Sequence, residues 1–405
     1  MKRIRHYLFI VFLISVSAGY GLHAVFPEKT VDESLYLNEV AQGVIFSAKK
    51  GNHYTSREGI TAFSTYDVTP SIRGYAGPVK TLISLSPDGR IHGIRILEHK
   101  ETPNFVHRME TPEFLRQFLG KSINDPFEVD KDIDAISRAT VSVEALSKTV
   151  RESSRKIASE AMGLEVVSRE KAGRFNLKWA AYCLLFLLSL AGYFITRGSK
   201  RFLRLRDISL VLGIGLVGLW LSTPFSILHI FNLLLLRPSS DMLWYAIVIS
   251  AVLSVGIAGR FYCGWLCPFG ALSEFLGRVP LRKWEIPLET DDRWRGAKYF
   301  LFGLVIAAVF ITGRPGFGNY ETYVTLFSFH GNALAWGLVA LSLLLNLRLQ
   351  RFWCRYLCPV AALMGLLSRK AEGYPGRHDC PMGNRQMPLI SECIRCNRCY
   401  GKGQP

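Results

Sequence analysis

The sequence is poor in acidic side chains, with 32 Asp and Glu residues against 49 Lys and Arg residues and a formal net charge of +17. An excess of this size is typical of proteins that bind nucleic acid. The basic residues, however, cluster at the ends of long apolar runs, where the positive-inside rule places them in membrane proteins. We therefore predict a membrane protein that has no nucleic-acid partner.

Long apolar runs are absent from residues 27–175, whose mixed composition indicates a globular domain. Most of residues 177–368 consist of apolar runs separated by basic clusters. An apolar run of about 18 residues or more is long enough to cross the hydrocarbon core of a membrane. The six candidate spans lie at about 7–26, 179–195, from near 208 to a break at Thr223-Pro224, 242–258, 299–312 and 333–349.

The basic clusters fall on one side of the membrane when the six runs are threaded through it in order. Lys2, Arg3 and Arg5 place the N-terminus in the cytoplasm, so residues 27–175 lie outside. We predict a multi-pass protein of the bacterial inner (cytoplasmic) membrane with a cytoplasmic C-terminus. The first run is either a retained anchor or a cleaved signal peptide, and both alternatives leave residues 27–175 outside.

Cysteine is scarce, and eight of the nine cysteines fall into three groups. Two groups repeat one C-x3-C-P motif after an apolar run, and the third group lies near the C-terminus. The first motif contains Cys263 and Cys267, the second contains Cys354 and Cys358, and the third group contains Cys380, Cys393, Cys396 and Cys399. The ninth cysteine, Cys183, stands alone inside an apolar run, as a small core residue does.

The C-terminal group has the spacing of an iron–sulfur ligand set. In a two-cluster ferredoxin, each cluster takes three cysteines from one C-x2-C-x2-C run and a fourth from the Cys-Pro of the other run. Cys393, Cys396 and Cys399 form one such run, and Cys380, which precedes a proline, supplies the fourth ligand. Gly403 stands where the run's own fourth cysteine would fall. One set of four is complete, which predicts a single [4Fe–4S] cluster; a four-cysteine zinc site is the alternative.

The two C-x3-C-P motifs leave more alternatives open. Four thiolates, two from each motif, can hold a second cluster, because related helices often meet at an internal pseudo-symmetry axis. Each pair can instead form a redox-active dithiol, or the eight cysteines can combine across groups. The cluster number is therefore one or two. The proline after each motif is expected to start a short helix along the membrane surface.

Residues 65–165 alternate short β-rich runs with turns, and helical patterns follow. The runs 79–86 and 91–96 flank Pro87-Asp88-Gly89, and an Asp-Gly pair between two apolar runs predicts a β-hairpin. Helical patterns lie at about 112–118 and 143–161. These patterns predict an α+β domain in this part of the chain.

Three segments of this domain, at 74–78, 98–103 and 137–140, resemble the covalent-flavin domain of the Rnf complex G subunit and the sodium-pumping quinone reductase C subunit. In those domains FMN is attached through its phosphate to the threonine of a Ser-Gly-Ala-Thr motif. The resemblance implies covalent FMN on Thr140, with Ser137 and Ala139 in the motif and Ser142 as the fallback acceptor. It also implies that a flavin transferase acts on the chain.

The same resemblance places Glu98, Glu101 and Thr102 near the flavin. Two departures bear on it, since Arg138 replaces the motif glycine and Asn104 replaces the glycine usual after Glu-Thr-Pro. Asn tolerates a left-handed backbone, whereas Arg tolerates it poorly. A phosphate on residue 140 would lie just before a helix, where free N–H groups favour an anion.

The whole chain resembles the NosR family and the related membrane flavoproteins encoded with reductive dehalogenases, and its second half also resembles NapH-type and CcoG-type proteins. The implied domains are an N-terminal membrane anchor at 1–26, an extracytoplasmic FMN-binding domain at 27–175, a membrane domain at 176–368 and a cytoplasmic ferredoxin-like segment at 369–405. The fold class is then a membrane α-helical bundle of about six spans, with an N-terminal α+β FMN-binding domain and a small C-terminal ferredoxin-like segment.

Together these parts predict membrane-bound electron transfer. The donor is a membrane quinone or a cytoplasmic electron donor, and the acceptor is a periplasmic reductase or its maturation system. Roughly 30 Å of hydrocarbon would separate FMN from the clusters, so a further carrier must bridge the gap. The alternatives are a redox-sensing regulator or metal-maturation factor for such a reductase, and a transporter with a structural metal tail.

Overall fold

The structure, a computed structural model, describes residues 2–25, 31–70, 72, 79–99, 109–129, 131–134, 140–166, 177–236, 241–318, 320–329, 331–368, 374, 380–383 and 392–400. The chain forms two compact units. The helical unit contains residues 1–22, 175–231 and 242–405, and the sheet unit contains residues 23–174 and 232–241.

Helices dominate the described residues, and a small group of strands lies in the first half of the chain. In chain order, the α-helices are α1 (Lys2–Val25), α2 (Leu37–Val40), α3 (Thr65–Val68), α4 (Pro112–Arg116), α5 (Thr140–Glu160), α6 (Leu177–Gly198), α7 (Arg204–Leu212), α8 (Ile227–Leu234), α9 (Met242–Ala258), α10 (Phe261–Trp265), α11 (Pro268–Gly277), α12 (Leu288–Thr312), α13 (Thr322–Ser328), α14 (Ala333–Arg348), α15 (Phe352–Tyr356) and α16 (Pro359–Leu367). The strands are β1 (His53–Thr55), β2 (Thr61–Ser64), β3 (Val79–Leu85) and β4 (Ile91–His99).

The sheet unit is built on an antiparallel meander in the order β1-β2-β3-β4. The predicted hairpin is confirmed, because β3 pairs with β4 across the Asp-Gly turn. Gly89 adopts a φ of 75°, which glycine reaches without steric cost. Helix α5 packs on β3, and the core between them is made of apolar side chains that include Phe63, Ile83 and Leu146.

Two helices of the helical unit, α6 and α12, are long and apolar enough to cross a membrane. A third span would be the pair α13 and α14, whose axes are bent by 104°. The apolar segment His6–Leu22 and helix α9 are shorter. Among the described helices these lengths give two or three spans, whereas the sequence predicts six. Exposed leucines on α6, such as Leu184, Leu187 and Leu188, present an apolar surface that suits lipid.

The third apolar run does not form one regular helix. Helix α7 continues as a π-helix over Gly213–Trp220, and the chain then turns at Ser222, whose φ is 51°. The break falls beside the predicted interruption at Thr223-Pro224. In this chain the break returns the backbone toward the C-x3-C-P region, since the N–H of Phe225 donates to the hydroxyl of Tyr262 at 2.8 Å.

Both C-x3-C-P motifs have the same local structure. A short helix, α10 or α15, carries the first cysteine, and a second helix, α11 or α16, begins at the proline after the second cysteine. Proline suits the first helical position because its missing N–H has no partner there. The predicted helix starts are confirmed. Both helices are largely buried within the unit.

Candidate functional site

The second cysteine of each motif caps the helix that follows it. The thiol of Cys267 accepts a hydrogen bond from the backbone N–H of Gly270 at 3.4 Å, and the thiol of Cys358 accepts one from Ala361 at 3.4 Å. The N-terminus of a helix favours negative charge through its free N–H groups and its dipole. Both repeats therefore hold a sulfur where a thiolate is stabilised.

The four motif cysteines are near neighbours in the interior of the helical unit. Burial raises the pKa of Cys267 and Cys358, and the neighbouring thiols Cys263 and Cys354 raise both further. Without a bound metal Cys267 and Cys358 are neutral thiols. Because metal ligation requires thiolates, cofactor binding here would release protons.

The arrangement of the thiols bears on the kind of centre they fit. Among the described residues, no three Cys, His, Asp or Glu side chains converge closely enough to hold one metal ion. A [4Fe–4S] cluster takes one thiolate at each of four irons, so its ligands lie farther apart than the ligands of a single ion. The four motif cysteines lie near one another without converging on one point, which is compatible with the spacing of cluster ligands.

A buried carboxylate, Glu274, ties the two repeats together. Arg351 of the second repeat donates to Glu274 at 2.8 Å and to the carbonyl of Cys263 at 2.8 Å. Arg206 forms a two-pronged ion pair with the same carboxylate at 2.7 and 2.6 Å. Paired guanidinium–carboxylate contacts of this kind fix geometry as well as charge. Glu274 therefore sets the position of the second repeat relative to the first.

A second buried carboxylate, Glu392, lies beside the C-terminal cysteines. It accepts hydrogen bonds from Arg260 at 2.7 Å, Lys298 at 2.6 Å and Tyr299 at 2.8 Å. Burial alone would raise the pKa of Glu392, but Lys298 and Arg260 outweigh it and lower this pKa to about 2. The group is a permanent anion that joins the C-terminal segment to the first motif.

Buried positive charge exceeds buried negative charge in the described part of the helical unit. The seven buried cations are Arg206, Arg260, Arg295, Lys298, Arg351, Arg355 and Arg395, and the four buried acids are Glu274, Asp291, Glu321 and Glu392. Buried charge without a counter-charge is unstable. Among the described residues negative charge is therefore short, and four thiolates bound to a cluster would supply it.

Three of these arginines have N–H groups that find no acceptor among the described residues. They are Nε and Nη2 of Arg260, Nε of Arg351 and Nε of Arg355. Arg260 and Arg351 influence the ionisation of Cys354. Hydrogen bonds to the sulfur atoms of a cluster are a normal means of setting its reduction potential. The donor set, the charge excess and the free N–H groups all fit an iron–sulfur cluster between the two motifs.

The C-terminal cysteines form a second neighbourhood. Burial raises the pKa of Cys393 to about 12, and Cys396 and Cys380 contribute to the rise. Cys399 packs with the ring of Tyr374. The run of three cysteines thus lies close to Cys380, as the ferredoxin-like spacing predicts, although 384–391 lie outside the described residues.

A cavity of about 250 Å³ opens beside Cys380. Its lining includes the cationic side chains of Lys283, Arg348 and Arg355, together with the half-exposed ring of Trp284. Acidic groups are fewer around it. A cavity with this charge can receive an anionic group next to the C-terminal cysteines.

Most of the expected flavin residues lie outside the described residues. These are Glu101, Thr102, Ser137 and Ala139, together with Arg138. Thr140 is the first residue of α5, and Ser142 follows in its first turn. The carboxylate of Glu98 accepts a hydrogen bond from the backbone N–H of Val31 at 2.6 Å.

Sequence patterns missed the buried acids and the burial of the arginines. The sequence does contain an indication that Glu274 is special, since it is the only charged residue within the apolar helix α11. Arg260 and Arg351 have the appearance of positive-inside markers in the sequence, yet both side chains are fully buried. A basic residue beside an apolar run has the same sequence pattern whether it faces water or a buried anion.

Comparison with known protein families finds a match in each half of the chain. Residues 74–154 match the FMN-binding domain family. Residues 240–287 and 330–377 match the 4Fe-4S binding domain family, and each stretch contains one C-x3-C-P motif. The regulatory protein NosR of Pseudomonas aeruginosa is 30% identical in an alignment of 195 residues that covers 40% of this chain and 26% of that protein. The chain is a NosR-like FMN and 4Fe–4S membrane protein.

Two further relatives support the same assignment. Protein NirI of Paracoccus denitrificans is 32% identical in an alignment of 192 residues that covers 41% of this NosR-like chain and 27% of NirI. The G subunit of the ion-translocating oxidoreductase complex of Vibrio vulnificus is 30% identical in an alignment of 143 residues that covers 32% of the chain and 67% of that protein. The chain spans about a quarter of the length of NosR and NirI. Its FMN-binding and 4Fe–4S domains support a role in electron transfer or redox regulation.

Proposed function

We propose that this NosR-like protein transfers electrons between a quinone or cytoplasmic donor on one side of the membrane and a reductase outside it. The observation that carries the proposal is the excess of buried cations around thiols that the two repeats bring together. A protein that only spans a membrane has no need of buried arginines beside paired cysteines. The excess fits an anionic metal–thiolate centre.

We propose Cys263, Cys267, Cys354 and Cys358 as the ligands of one [4Fe–4S] cluster. The second centre would be held by Cys380, Cys393, Cys396 and Cys399. When bound, such clusters supply one-electron steps, and FMN supplies one- or two-electron steps. The residues of the chain hold these groups in place, exclude water from them and set the charge around them.

The side chains around the first set have separate tasks in this scheme. The unpartnered N–H groups of Arg260 and Arg351 would donate to the sulfur atoms of a centre held there, which would favour its more negative, reduced state. Glu274 and Glu392 hold these two arginines by ion pairs. The apolar packing of α10 and α15 keeps water away, which strengthens each of these interactions.

For the sheet unit we propose covalent FMN on Thr140, with Ser142 as the second choice. Thr140 stands at the N-terminus of a helix of 21 residues, where N–H groups and the helix dipole favour a phosphate. We also propose that this unit lies outside the cytoplasmic membrane and that the C-terminal cysteines lie inside, with six spans between the termini. The flavin transferase would then act outside.

The cluster assignment is tested by anaerobic purification of the full chain with iron and sulfide counted. Cys354→Ser should remove one cluster's share of iron, because a cluster with three thiolates is labile, and Cys396→Ser should remove the other share. Cys183→Ser is the matched control and should leave the iron content at the wild-type value. Wild-type iron in the Cys354→Ser protein would contradict the first ligand set.

The flavin assignment is tested on the same preparations by peptide mass spectrometry. Wild-type protein should yield a peptide containing Thr140 that carries the mass of FMN in phosphoester linkage. Thr140→Ala should lack it, and Ser142→Ala should keep it. An adduct that persists in Thr140→Ala and disappears in Ser142→Ala would move the acceptor to Ser142.

A second function, redox-sensing regulation of a reductase or of its metal maturation, is favoured by the name of one relative, the regulatory protein NosR. The two functions differ in rate. A transfer protein should reoxidise its reduced flavin rapidly when a purified outer reductase is added. A regulator should show slow reoxidation, together with a change in the metal content or synthesis of its target in cells.

A further inference from the structure

The two C-x3-C-P motifs differ at the residue that follows their first cysteine. The first motif has Gly264 there, and the second has Arg355. A Cβ atom on residue 264 would overlap the carbonyl oxygen of Ile394. The backbone of the C-terminal cysteine run therefore lies directly against the first motif, at a separation that only glycine permits.

Side chains on both sides of this contact hold it in place. The indole N–H of Trp265, the next residue of the motif, donates to the carbonyl of Arg395 at 3.0 Å. The amide of Asn397 donates to the carbonyl of Tyr193 at 2.8 Å and to the hydroxyl of Thr196 at 2.7 Å. All of these groups are buried, so each bond is shielded from water.

Ion pairs hold both ends of the C-terminal cysteine run in place. At its start, Glu392 binds Arg260 and Lys298, whose side chains are 0% exposed. Near its end, Arg398 pairs with Glu274 at 3.1 Å. Removing one partner of a buried ion pair costs about 3–5 kcal/mol, so the segment is strongly fixed at its start.

The other part of the C-terminal group lies against the second repeat. Arg295 donates to the carbonyl of Met382 at 2.5 Å. A Cβ atom on Gly383 would contact the guanidinium of Arg355. Arg355 itself is paired with Asp291 at 2.6 Å. The C-terminal cysteine group therefore touches both repeats, with its run of three cysteines on the first and Cys380 near the second.

We propose that residues 392–400 are a fixed docking segment seated on the first motif, and that Gly264 is the positioning residue for electron exchange between the C-terminal and motif cysteine groups. In each exchange one electron leaves one group and enters the other, and no bond or proton changes place. The proposal rests on the proposed function, and it specifies that electrons pass within the chain through the first motif.

Trypsin tests the docking segment without any need for cofactor. In the full chain in detergent, under anaerobic conditions, the bonds after Arg395 and Arg398 should resist cleavage. Gly264→Ala should raise cleavage at both bonds by at least about tenfold, because the added methyl group displaces the segment. Gly256→Ala is the matched control, since open space surrounds that position in α9. Wild-type resistance in Gly264→Ala would overturn the proposal.

Electron paramagnetic resonance tests the exchange. When both centres are reduced, wild-type protein and Gly256→Ala should show signals split by spin–spin coupling between neighbouring centres. Gly264→Ala should keep its iron and lose the splitting. A purely structural role would instead lower iron and leave the splitting of the remaining loaded molecules unchanged, and that result would count against the proposal.

Trp265→Phe serves where the alanine variant does not accumulate. It removes the bond to Arg395 without adding volume, so cleavage should rise and coupling should weaken by a smaller factor. Unchanged cleavage and coupling in this variant would overturn the proposal. If the wild-type protein holds no iron, the proposed function fails, while trypsin resistance still reports whether the segment is docked.

Discussion

Arg260 and Arg351 occupy equivalent positions, three residues before the first cysteine of each motif. Each is fully buried, and each binds a different carboxylate, Glu392 or Glu274. Neither carboxylate belongs to the repeated motif. Each repeat thus has a buried arginine at the same position, but the carboxylate that neutralises this arginine differs between the repeats.

At the residue scale, the first prediction concerns Glu274. Glu274→Gln leaves Arg206 and Arg351 buried without their anion, which should destabilise the folded protein by about 3–5 kcal/mol. Thermal unfolding of the purified protein in detergent measures the change. Glu289→Gln, at an exposed position in α12, is the control and should unfold at the wild-type temperature.

The same residue predicts a pH dependence. Burial raises the pKa of Glu274, but Arg206 and Arg351 outweigh burial and hold this pKa well below its usual range. Its stabilising contribution is complete above about pH 4.5 and is lost as the pH falls toward the pKa of the folded state. Wild-type protein should therefore lose unfolding temperature between about pH 4.5 and 3 more steeply than Glu274→Gln. Parallel pH curves would contradict this explanation.

Sequence patterns identify the eight grouped cysteines, because ligand spacing is a local property of the chain. They do not identify Gly264 as a docking position, since its neighbour Ile394 lies far away in the sequence. Lys298 escaped notice for the same reason, because its partner Glu392 lies in another segment. The sequence predicts ligand sets whose spacing is local, but it does not predict which residues from distant segments pair in the fold.

At the scale of elements, β4 shows how closely the parts of the sheet unit approach one another. A Cβ atom on Gly93 would overlap the carbonyl oxygen of Val40, at the end of α2. The same carbonyl accepts a hydrogen bond from Ser84 of β3 at 2.6 Å. Helix α2 is thus fastened across two neighbouring strands by its last residue.

Gly93→Ala should separate α2 from the sheet at a cost near the upper end of about 1–3 kcal/mol. Hydrogen–deuterium exchange of the full chain measures the effect, and the amides of β4 and of Val40 and Ala41 should exchange faster. Ser84→Ala removes only the hydrogen bond and should cost about 1 kcal/mol. A larger effect from the serine variant would show that the bond, not the close approach, fastens α2.

Elements defined by short signals follow the sequence closely, and long apolar runs follow it less well. The hairpin at Asp88-Gly89 and the helices that start at Pro268 and Pro359 form where they are predicted. The third apolar run breaks into α7, a π-helix and α8, because its polar and glycine residues serve contacts with the motif region. Hydropathy indicates that a segment avoids water, but it does not predict whether the segment forms one continuous helix.

At the scale of the whole molecule, the prediction is one of sidedness. An epitope inserted at Gly120, in an exposed turn of the sheet unit, should be cut by protease added to spheroplasts. An epitope placed after Pro405 should be cut only in inverted vesicles. If both epitopes are cut from the same side of the membrane, the proposed transmembrane arrangement is refuted.

Buried arginines weaken the charge argument for that arrangement without removing it. Arg260, Arg351 and Arg355 pair with buried acids, so they report internal charge balance as well as membrane orientation. Exposed cations such as Arg201, Arg204 and Arg282 remain as the residues on which the positive-inside prediction rests. The sidedness experiment therefore decides a point that composition addresses only in part.

The contact of the C-terminal cysteine group with both repeats has a consequence for biosynthesis. Cys380 lies near the second repeat and the run from Cys393 lies on the first, so the group as a whole has its complete set of contacts only when both repeats are folded. Ribosomes make this segment after the repeats. Under the proposed cluster assignment, a chain whose second repeat is still unfolded would lack a complete ligand site, and cluster loading would be coupled to the folding of both repeats.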